Sequence, residues 1–360
     1  MEIMIKSIRF KKIELSMKRP FKIALGTTSV YEGYYVSVEA SDGIVGYGEA
    51  VPTPFITGDT MGSIEDELKV FSKELIGSDE SPETINKKMK QIMKASKASR
   101  NAVDCAIWDI LGKRANMNLV KLLGNNKKSI ATSYTIDLVD AEQAEAQAKE
   151  LLKQGIKVFK IKMGTGMESD IERVRRVREV IGEKPMIYVD FNQSYAPKKA
   201  AEISKKLEAF NIEFLEQPVR SDDISGLKYV RDNSSIPVFA DESVFTPKDL
   251  AEVLSREAVD GVNIKLMKSG GITDAIKMVD TAESFGVPVM IGCMVETRLA
   301  NTCGLAVALS KSGVVYADLD GYSGIKEDPV EKGIVLNNGE VTLDQTIPGI
   351  GVLIKEDFTP

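Results

Sequence analysis

The chain has 360 residues, of which 43% are hydrophobic and 28% charged, with a formal net charge of −6. This balance is typical of a globular protein, and the length indicates either two domains or one large barrel with an attachment. The acidic charge, and the lack of a basic block with interleaved aromatic residues, argue against nucleic acid as a partner. No run approaches the roughly 18 consecutive apolar residues of a membrane-spanning helix, so we expect no membrane partner.

The sequence contains no histidine, which restricts its chemistry. A Ser-His-Asp triad, a Cys-His dyad and a histidine-ligated zinc site are all excluded. Any metal site must consist mostly of oxygen ligands, which favours a hard cation such as Mg²⁺. The three cysteines (Cys105, Cys293 and Cys303) lack ligand spacing and are odd in number, which argues against a disulfide framework. The first residues alternate too strongly for a signal peptide, so we expect a cytoplasmic protein.

Residues 1–125 are predicted to form an α+β domain. Strand-like runs at 3–15, 30–40 and 43–48 come first, with a hairpin turn at 41–43. Helical periodicity follows at 62–76, 82–95 and 99–116. The C-terminal segment 326–360 is again hairpin-like, and we expect it to rejoin this first domain.

Short β-rich runs alternate with helical segments across residues 126–325. Eight such alternations predict an α/β barrel. We favour the barrel over an open doubly wound sheet, because no glycine-rich phosphate turn follows the first run. The segment after the last run is too short and too interrupted for a full closing helix. The eight runs are 129–136, 157–163, 185–191, 211–219, 236–243, 259–266, 287–294 and 314–320.

Charged residues follow or end most of these runs. The carboxyl ends of barrel strands converge on one mouth, where active sites of such barrels lie. Residues far apart in the sequence are therefore expected to be neighbours in space. They are Lys160 and Lys162 (second run), Asp190 (third), Glu216 (fourth), Asp241 and Glu242 (fifth), Lys265 (sixth), Glu296 (after the seventh), and Asp318 and Asp320 (eighth).

Each residue also has a simpler interpretation. Lys160 and Lys162 share one face of a strand, and an isolated pair of this kind is typical of an edge strand with solvated lysines. A single acid after a strand is typical of a helix N-cap. We expect Asp170 and Asp249 at helix N-termini, the latter in a capping box with Thr246. Coincidence does not explain the whole set, because three successive strands end in an acid and lysines flank them on both sides.

Three carboxylates can hold Mg²⁺ and leave positions for water and substrate. Lysines on the second and sixth strands would then face each other across the metal. This arrangement suits removal of a proton α to a carboxylate, with Mg²⁺ stabilising the enolate and a lysine of lowered pKa taking the proton. A second lysine on the opposite face can return a proton with inversion, which predicts a racemase or epimerase.

The ordered motifs resemble those of the muconate-lactonizing subgroup of the enolase superfamily. They are KxK (160–162), DxN (190–192), EQP (216–218), DES (241–243) and NIKLMKSGG (263–271). The resemblance covers essentially the whole chain and implies a (β/α)7β modified TIM barrel with an N-terminal α+β capping domain. The missing histidines exclude the subgroups that use a His-Asp base. The DLD at 318–320 is similar to that of dipeptide epimerases.

The resemblance implies a role for each candidate residue. Lys162 and Lys265 would be the acid/base catalysts. Asp190, Glu216 and Asp241 would ligate Mg²⁺. The remaining candidates would bind substrate or support these groups: Asp318 and Asp320 at the substrate's α-ammonium group, Lys160, Thr135 and Cys293 in the pocket, and Asn192, Glu242 and Glu296 behind the ligands.

Two loops, Phe21–Thr28 and Pro52–Thr60, are expected from the resemblance to close over the mouth. Their glycine, proline and threonine content is equally typical of ordinary surface turns. In Ala-Glu epimerases the first loop carries an arginine for the substrate's side-chain carboxylate. Here the matching position is Gly26, and the nearest positive residue is Lys22. This departure favours a neutral or hydrophobic second residue over glutamate.

The sequence thus predicts a Mg²⁺-dependent isomerase, a dipeptide epimerase that inverts the C-terminal residue of L-Ala-L-X or a similar dipeptide. Other reactions of the same subgroup stay open, namely o-succinylbenzoate synthase, N-acylamino acid racemase and cycloisomerase. Their substrates lack a free amine and leave the two aspartates at 318 and 320 unexplained. Two further classes are a Schiff-base lysine aldolase, which needs no metal, and a non-catalytic ligand-binding barrel. Oligomers are common in the family, so a homo-oligomer stays open.

Overall fold

The computed structural model describes residues 4–79 and 81–360. The chain begins with a three-stranded antiparallel sheet formed by β1 (Ile5–Ile23), β2 (Gly26–Ala40) and β3 (Val45–Ala50). The three predicted strands are present, but residue 3, where the first was expected to start, lies outside the described residues. The turn at residues 41–43 is formed, with Gly43 at a φ of 85° that favours glycine.

The first hairpin is longer than predicted, and this corrects the expectation of a loop at Phe21–Thr28. β1 and β2 continue to pair through Phe21 with Thr28 and Ile23 with Gly26. The alternation of side chains persists to the tip, where Ile23 is buried and Lys22 is exposed. The segment is therefore the end of a β-hairpin, in which backbone groups of the two strands pair with each other.

Four helices complete the first part of the chain: α1 (Met61–Glu74), α2 (Pro82–Ile92), α3 (Ala98–Arg114) and α4 (Leu119–Leu123). The first three correspond to the predicted helices within a few residues at each end. α3 is buried on most sides because it packs directly on β3. Gly46 and Gly48 allow this contact, since a β-carbon at either position would lie 2.0 Å from a backbone oxygen of α3.

A short strand, β4 (Ile130–Ala131), leads into eight parallel strands that form the barrel. The strands are hydrogen-bonded in sequence order, and a bridge between Thr132 and Ala317 links the last strand to the start of the first. The prediction of an α/β barrel is confirmed. The strands are β5 (Ser133–Ile136), β6 (Val158–Lys162), β7 (Met186–Asp190), β8 (Ile212–Glu216), β9 (Val238–Ala240), β10 (Gly261–Lys265), β11 (Val289–Gly292) and β12 (Val314–Asp318).

Helices follow the first seven barrel strands, and one of the connections carries an extra short helix. Directly after β12, the described chain forms a 3₁₀ turn at Gly321–Gly324 in place of a full closing helix, as the interrupted sequence there predicts. Asp249 forms the expected capping box with Thr246. The helices are α5 (Ala141–Lys153), α6 (Met167–Ile181), α7 (Pro197–Leu207), α8 (Ile224–Asp232), α9 (Pro247–Ser255), α10 (Leu266–Ser269), α11 (Ile272–Ser284) and α12 (Arg298–Ser310).

The C-terminal segment contacts both parts of the molecule. Its hairpin of β13 (Val335–Asn337) and β14 (Glu340–Thr342) pairs with β4. Farther along, the Ile350 amide donates to the Asp109 carboxylate on α3, and the Lys326 amide donates to the Ser16 carbonyl on β1. Within the described ranges, no helix combines the length and apolar character needed to cross a membrane.

The lower half of the barrel interior is filled by stacked aromatic rings. The ring of Phe214 lies 4.3 Å from that of Tyr188 and 4.0 Å from that of Phe239, centroid to centroid, and Tyr316 packs edge-on against both phenylalanines. Such offset and edge-on contacts are favourable for aromatic rings. This aromatic layer fills the barrel below the ends of the strands. The polar side chains lie above it, at the carboxyl ends of the strands.

Candidate active site

The carboxyl ends of the barrel strands bring the predicted residues to one mouth. Parallel pairing sets Lys162 beside Asp190 and Asp190 beside Glu216 on three consecutive strands. Lys265 pairs with Gly292, which in turn pairs with Asp318. Because β6 and β10 are four places apart in an eight-stranded barrel, Lys162 and Lys265 reach the mouth from opposite walls.

Lys160 is at the centre of the charged groups, with only 1% of its surface exposed. Its amine lies 2.8 Å from carboxylate oxygens of both Glu216 and Asp318 and 3.1 Å from one of Asp190. Burial alone would lower the pKa of this amine, but the three carboxylates outweigh it and raise that pKa well above its usual value. The interpretation of solvated edge lysines is therefore wrong, and the strand faces the barrel interior.

The two candidate catalytic lysines each contact a different carboxylate. The Lys162 amine donates to Asp190 Oδ2 at 2.7 Å and to Asn192 Oδ1 at 3.1 Å. The Lys265 amine lies 2.9 Å from Asp241 Oδ2. Burial disfavours a charge on Lys265, but Asp241 and the other carboxylates raise its pKa.

The three candidate metal ligands are almost completely buried, and two of them, Glu216 and Asp241, each have an oxygen that accepts no hydrogen bond. Glu216 Oε1 accepts from the Asn263 side chain at 2.7 Å. Glu216 Oε2 and Asp241 Oδ2 lie within ion-pair distance of lysine amines, yet neither accepts a hydrogen bond of acceptable geometry. Burial, together with the charge of Asp190, raises the pKa of Glu216 to about 8. Buried oxygens left in this condition are suited to a divalent cation.

Lysine amines currently lie between these carboxylates. Among residues 4–79 and 81–360, no three acidic or cysteine side chains form a finished metal cage. The donor set fits Mg²⁺ in chemistry, since it supplies carboxylate oxygens from three adjacent strands. Binding would require Lys160 to move from its bridging position between Asp190 and Glu216, because a cation and an ammonium group compete for the same oxygens.

Two further residues at the ligands were missed by the sequence analysis. The Lys268 amine, on α10, donates to a side-chain oxygen and the backbone carbonyl of Asp241 and is 1% exposed. Asn263 supplies the hydrogen bond to Glu216 described above. Both belong to the NIKLMKSGG run, but a lysine or asparagine beside a strand end gives no sequence signal of burial.

The three residues predicted behind the ligands are buried but occupy different places. Asn192 links the site together, because it accepts from Lys162 and donates to Glu242 Oε1 at 3.1 Å. Burial and the charge of Asp241 raise the pKa of Glu242 to about 7. Glu296 lies apart at the start of α12, where Oε1 accepts from the Met294 amide at 2.9 Å. Burial, with the charge of Glu49, raises the pKa of Glu296 to about 8.

The predicted pocket residues surround the end of the last strand. Asp318 is buried and accepts from Ser133 and Lys160, whereas Asp320 is partly exposed and accepts from the Thr135 amide at 2.8 Å. Cys293 is buried, and its sulfur accepts from the Gly321 amide at 3.3 Å. All three cysteines are free, in agreement with the prediction of no disulfide framework.

A cavity of about 1250 Å³ lies above these groups. The hairpin tip forms one of its walls, and the backbone amide of Leu138 donates to the Lys22 carbonyl to dock that tip on the barrel. The second predicted loop lines the cavity from Pro52 to Ile56. Eight of the predicted site residues also line it, namely Thr135, Lys160, Lys162, Asn192, Lys265, Cys293, Asp318 and Asp320.

The hairpin end of the cavity is apolar. Phe21, Ile23, Phe55 and Ile56 line it, and the Phe55 ring covers Gly26 so closely that a β-carbon there would lie 3.0 Å away. Lys22 points away from the barrel and is exposed. The sequence analysis missed Arg19, which lines the cavity but is already paired with Asp137 at 3.1 Å.

A second arginine that the sequence analysis missed, Arg298, lines a different part of the cavity. Its guanidinium lies over the ring of Tyr322, 5.4 Å from the ring centre, and its Nε has no hydrogen-bond partner among the described residues. Tyr322 is two residues after Asp320, so this arginine stands toward the DLD segment rather than at the hairpin tip. Its position, first in a helix, gives no sequence signal of a cavity contact.

Comparison with known families accounts for both parts of the chain. Residues 7–124 match the family described as "Mandelate racemase / muconate lactonizing enzyme, N-terminal domain", and residues 143–358 match "Enolase C-terminal domain-like". The chain belongs to the enolase superfamily. The predicted resemblance is thereby confirmed, and so is the architecture of a parallel barrel with an N-terminal domain.

This enolase-superfamily chain is similar over nearly its whole length to characterised epimerases. It is 36% identical to the hydrophobic dipeptide epimerase of Enterococcus faecalis, over 92% of this chain and 94% of that protein. It is also 36% identical to the L-Ala-D/L-Glu epimerase of Bacillus subtilis, over 96% of each. The dipeptide epimerase of Enterococcus faecalis V583, solved with Mg and L-Leu-L-Tyr, superimposes with a TM-score of 0.94 at 35% identity, over 97% of this chain and 99% of that chain.

Proposed function

We propose that this chain is a Mg²⁺-dependent dipeptide epimerase, an isomerase that inverts the α-carbon of a dipeptide's C-terminal residue. The observation that carries the proposal is the pair of lysines on opposite barrel walls, each bonded to a different buried carboxylate. Two amines on opposite faces of a bound carbon can remove a proton from one face and return one to the other. The similarity to dipeptide epimerases supports the same reaction.

Asp190, Glu216 and Asp241 would hold the metal. When bound, Mg²⁺ supplies positive charge that stabilises the negative charge developing on the substrate carboxylate. The chain itself holds two of these ligands in place. The Asn263 side chain donates a hydrogen bond to Glu216, and the Lys268 amine donates one to Asp241. The Asn192 backbone amide donates to Asp190, and its side chain donates to Glu242.

The lysines carry the proton transfers. In one direction a neutral Lys162 amine takes the α-proton, so that the C–H bond breaks and its electron pair passes into the adjacent carboxylate. The protonated Lys265 amine then donates a proton to the opposite face of the same carbon, and the chirality inverts. The reverse reaction exchanges the two roles. Lys160, between the ligands and Asp318, would orient the substrate carboxylate by its charge.

The recognition groups suit a dipeptide with a free amine and an apolar C-terminal side chain. The carboxylates of Asp318 and Asp320 supply negative charge for an α-ammonium group, and Thr135 and Cys293 line the pocket beside them. At the hairpin tip, the apolar wall around Phe55 leaves no unpaired cation beside Gly26 among the described residues, because Arg19 is bonded to Asp137. A hydrophobic second residue therefore fits better than glutamate.

We infer that residues 1–125 act as a capping domain joined by residues 326–360, and that residues 126–325 are the catalytic barrel. The partner is a small-molecule dipeptide, with no role for nucleic acid.

The proposal is tested by incubating the protein with Mg²⁺ and pooled L,L-dipeptides in D₂O and scoring α-proton exchange by mass spectrometry. Exchange in a subset with apolar second residues, lost on chelation, is the expected result. Exchange confined to N-acylated or cyclohexadiene carboxylates would identify another reaction of the same subgroup. Borohydride trapping of substrate without a metal requirement would indicate an aldolase. A folded protein that binds ligands without exchange would be a non-catalytic barrel.

A further inference from the structure

The turn that follows Lys162 is held by a buried ion pair between Asp170 and Arg173. Both residues belong to the first two turns of α6 and are 0% and 2% exposed. Asp170 is near a helix N-terminus, as expected, but its carboxylate bonds to the turn that precedes the helix. It accepts from the backbone amides of Gly164 at 2.7 Å and Thr165 at 3.1 Å. It also accepts from the guanidinium of Arg173 at 2.7 Å, so the turn and the arginine share one carboxylate.

Arg173 contacts three separate segments of the chain with one guanidinium group. Its Nε donates to the Val139 carbonyl, shortly after β5, at 2.6 Å, and its Nη2 donates to the Thr165 hydroxyl at 2.8 Å. Its Nη1, besides contacting Asp170, donates to the backbone carbonyl of Lys162 at 3.1 Å. The donors of a guanidinium are fixed in one plane, so they set the distances between these segments, which the single nitrogen of a lysine cannot span.

The backbone of Lys162 needs this donor because its strand is paired on one side only at that point. The pairing of β5 with β6 ends at Ile136 with Ile161, one residue before Lys162. On the other side the strand is still paired, with Lys162 beside Asp190. A buried carbonyl without a donor is costly, and Arg173 supplies the donor from a group that also bonds the chain after β5. The last residue of β6 is thereby connected on both sides.

We propose that Arg173, held by Asp170, is a positioning residue for the acid/base group at Lys162. The pair fixes the backbone from which the Lys162 side chain extends, and therefore the position from which its amine reaches the substrate carbon. The inference rests on the proposed function. It concerns one lysine of the two, because Lys265 lies on the opposite wall of the barrel. Since the bond is to the backbone, it does not depend on which group the Lys162 amine contacts.

An effect on one lysine has a stereochemical consequence. In a two-base epimerase, each stereoisomer of the substrate loses its α-proton to a different lysine. A displaced Lys162 therefore slows proton exchange from one stereoisomer, whereas Lys265 still removes and returns the proton of the other. Epimerisation falls in both directions, because each direction needs both lysines. A general loss of stability would instead lower the exchange of the two stereoisomers alike.

The test uses the full-length protein with Mg²⁺ and measures α-proton exchange in D₂O for L-Ala-L-Phe and L-Ala-D-Phe separately. Lys162→Ala identifies the stereoisomer whose exchange depends on Lys162. The test variant is Arg173→Lys, which keeps a positive charge beside Asp170 but loses the planar fork. The matched control is Arg178→Lys on the same helix. Arg178 is 4% exposed and donates to four backbone carbonyls near the other end of α6, away from the mouth of the barrel.

Arg173→Lys is expected to lower kcat for exchange of the stereoisomer that depends on Lys162 by about tenfold or more, and of the other by less than about threefold. KM should change little for either, because no substrate contact is removed. Arg178→Lys should affect the two stereoisomers equally. Equal losses in Arg173→Lys, no loss for either stereoisomer, or an asymmetry opposite to that of Lys162→Ala would overturn the proposal.

Should Arg173→Lys fail to fold, Thr165→Val decides the matter, because the exposed Thr165 has one hydroxyl bond to Arg173 and one to Asp170. We expect a loss of about threefold in the same stereoisomer, and an even loss or none would overturn the proposal. If the unchanged protein exchanges neither stereoisomer, the proposed function itself fails. If it exchanges both and Arg173→Lys loses them evenly, the proposed function stands and only the positioning role is removed.

Discussion

The ring of Phe55 packs against the backbone of Gly26, with no room between them for a β-carbon of ordinary contact distance. Phe55 is 40% exposed, although it lines the cavity with Phe21 and Ile23. An exposed aromatic ring at a cavity wall is suited to cover an apolar ligand group. This relationship connects a glycine in the first hairpin to the side-chain preference that we propose for the substrate.

We expect Phe55→Ala to lower kcat/KM for dipeptides with an aromatic second residue by about tenfold, because the ligand loses apolar contact area. Phe55→Leu should lower it less. The measurement is α-proton exchange in D₂O with L-Ala-L-Phe. Phe285→Ala is the matched control, since that phenylalanine is 58% exposed and lies outside the cavity. Equal effects of the two alanine variants would contradict a substrate contact at residue 55.

Lys162→Ala and Lys265→Ala should each reduce epimerisation by about 10²–10⁴-fold, because each removes the acid/base group on one face of the α-carbon. One of the variants should still exchange the α-proton of a single stereoisomer, since the opposite lysine remains. Chiral chromatography combined with deuterium incorporation measures both effects. Lys157→Ala, an exposed lysine just before the same strand, serves as the control. Full epimerisation by both active-site variants would show that the two-base assignment is wrong.

Magnesium should stabilise the folded protein, because the buried oxygens of Glu216 and Asp241 gain a cation that the unfolded chain does not hold. At 100 times its Kd, a ligand of the folded state adds about 3 kcal/mol to the free energy of unfolding. The melting temperature, measured with MgCl₂ or with chelator, should therefore differ in the unchanged protein and not in Asp241→Asn. Asp232→Asn, on the exposed face of α8, should keep the full shift. An equal shift in both variants would place the metal elsewhere.

Glu296 should make the protein less stable as the pH rises. Its pKa in the folded state is raised to about 8, so ionisation opposes folding as the pH increases from the unfolded value toward 8 and above. Glu296→Gln stays neutral and keeps an oxygen acceptor for the Met294 amide. We expect the variant to gain on the order of 2 kcal/mol over the unchanged protein between pH 5 and pH 8. Thermal unfolding at both pH values measures this, with exposed Glu331→Gln as a control that should show no pH-dependent gain.

Dipeptide affinity should fall in acid because Asp320 must be ionised to hold an ammonium group. Burial and the charge of Asp318 raise the pKa of Asp320 to about 6 in the ligand-free protein. As the pH falls through this value, KM for a free-amine dipeptide should rise, whereas the inhibition constant of its N-acetyl derivative should not follow. Comparison of the two profiles separates Asp320 from groups whose ionisation affects the binding of both ligands. Parallel profiles would argue against the ammonium contact.

The sequence was sufficient for the architecture because the barrel repeats one local pattern. Each β-rich run and each helical segment is recognisable from its own period, and parallel strands in such a barrel must end at the same mouth. The grouping of Lys162, Asp190, Glu216, Asp241 and Lys265 therefore followed from counting strands. Their metal and acid/base roles stay predictions.

Sequence analysis did less well where the outcome depends on partners that are distant in the chain. The segment Phe21–Thr28 has turn-forming residues, yet pairing with its own opposite strand extends the hairpin to Ile23 and Gly26. From the sequence alone, Lys160 could equally lie on an edge strand in contact with solvent. Its amine is buried, and its pKa is raised, because Asp318 from the last strand completes a set of three carboxylates around it.

The sequence alone thus determined the fold class, the order of the strand-end charges and the oxygen-rich chemistry that a chain without histidine must use. These properties depend on local period, residue type and strand order, all of which are written along the chain. Only the tertiary structure decided which groups donate to each carboxylate, as at Asp318, which accepts from Ser133 and Lys160, and at Asp320, which accepts from the Thr135 amide. These contacts join distant parts of the chain, since Ser133 and Lys160 bond to Asp318 on the last strand across 185 and 158 residues of sequence.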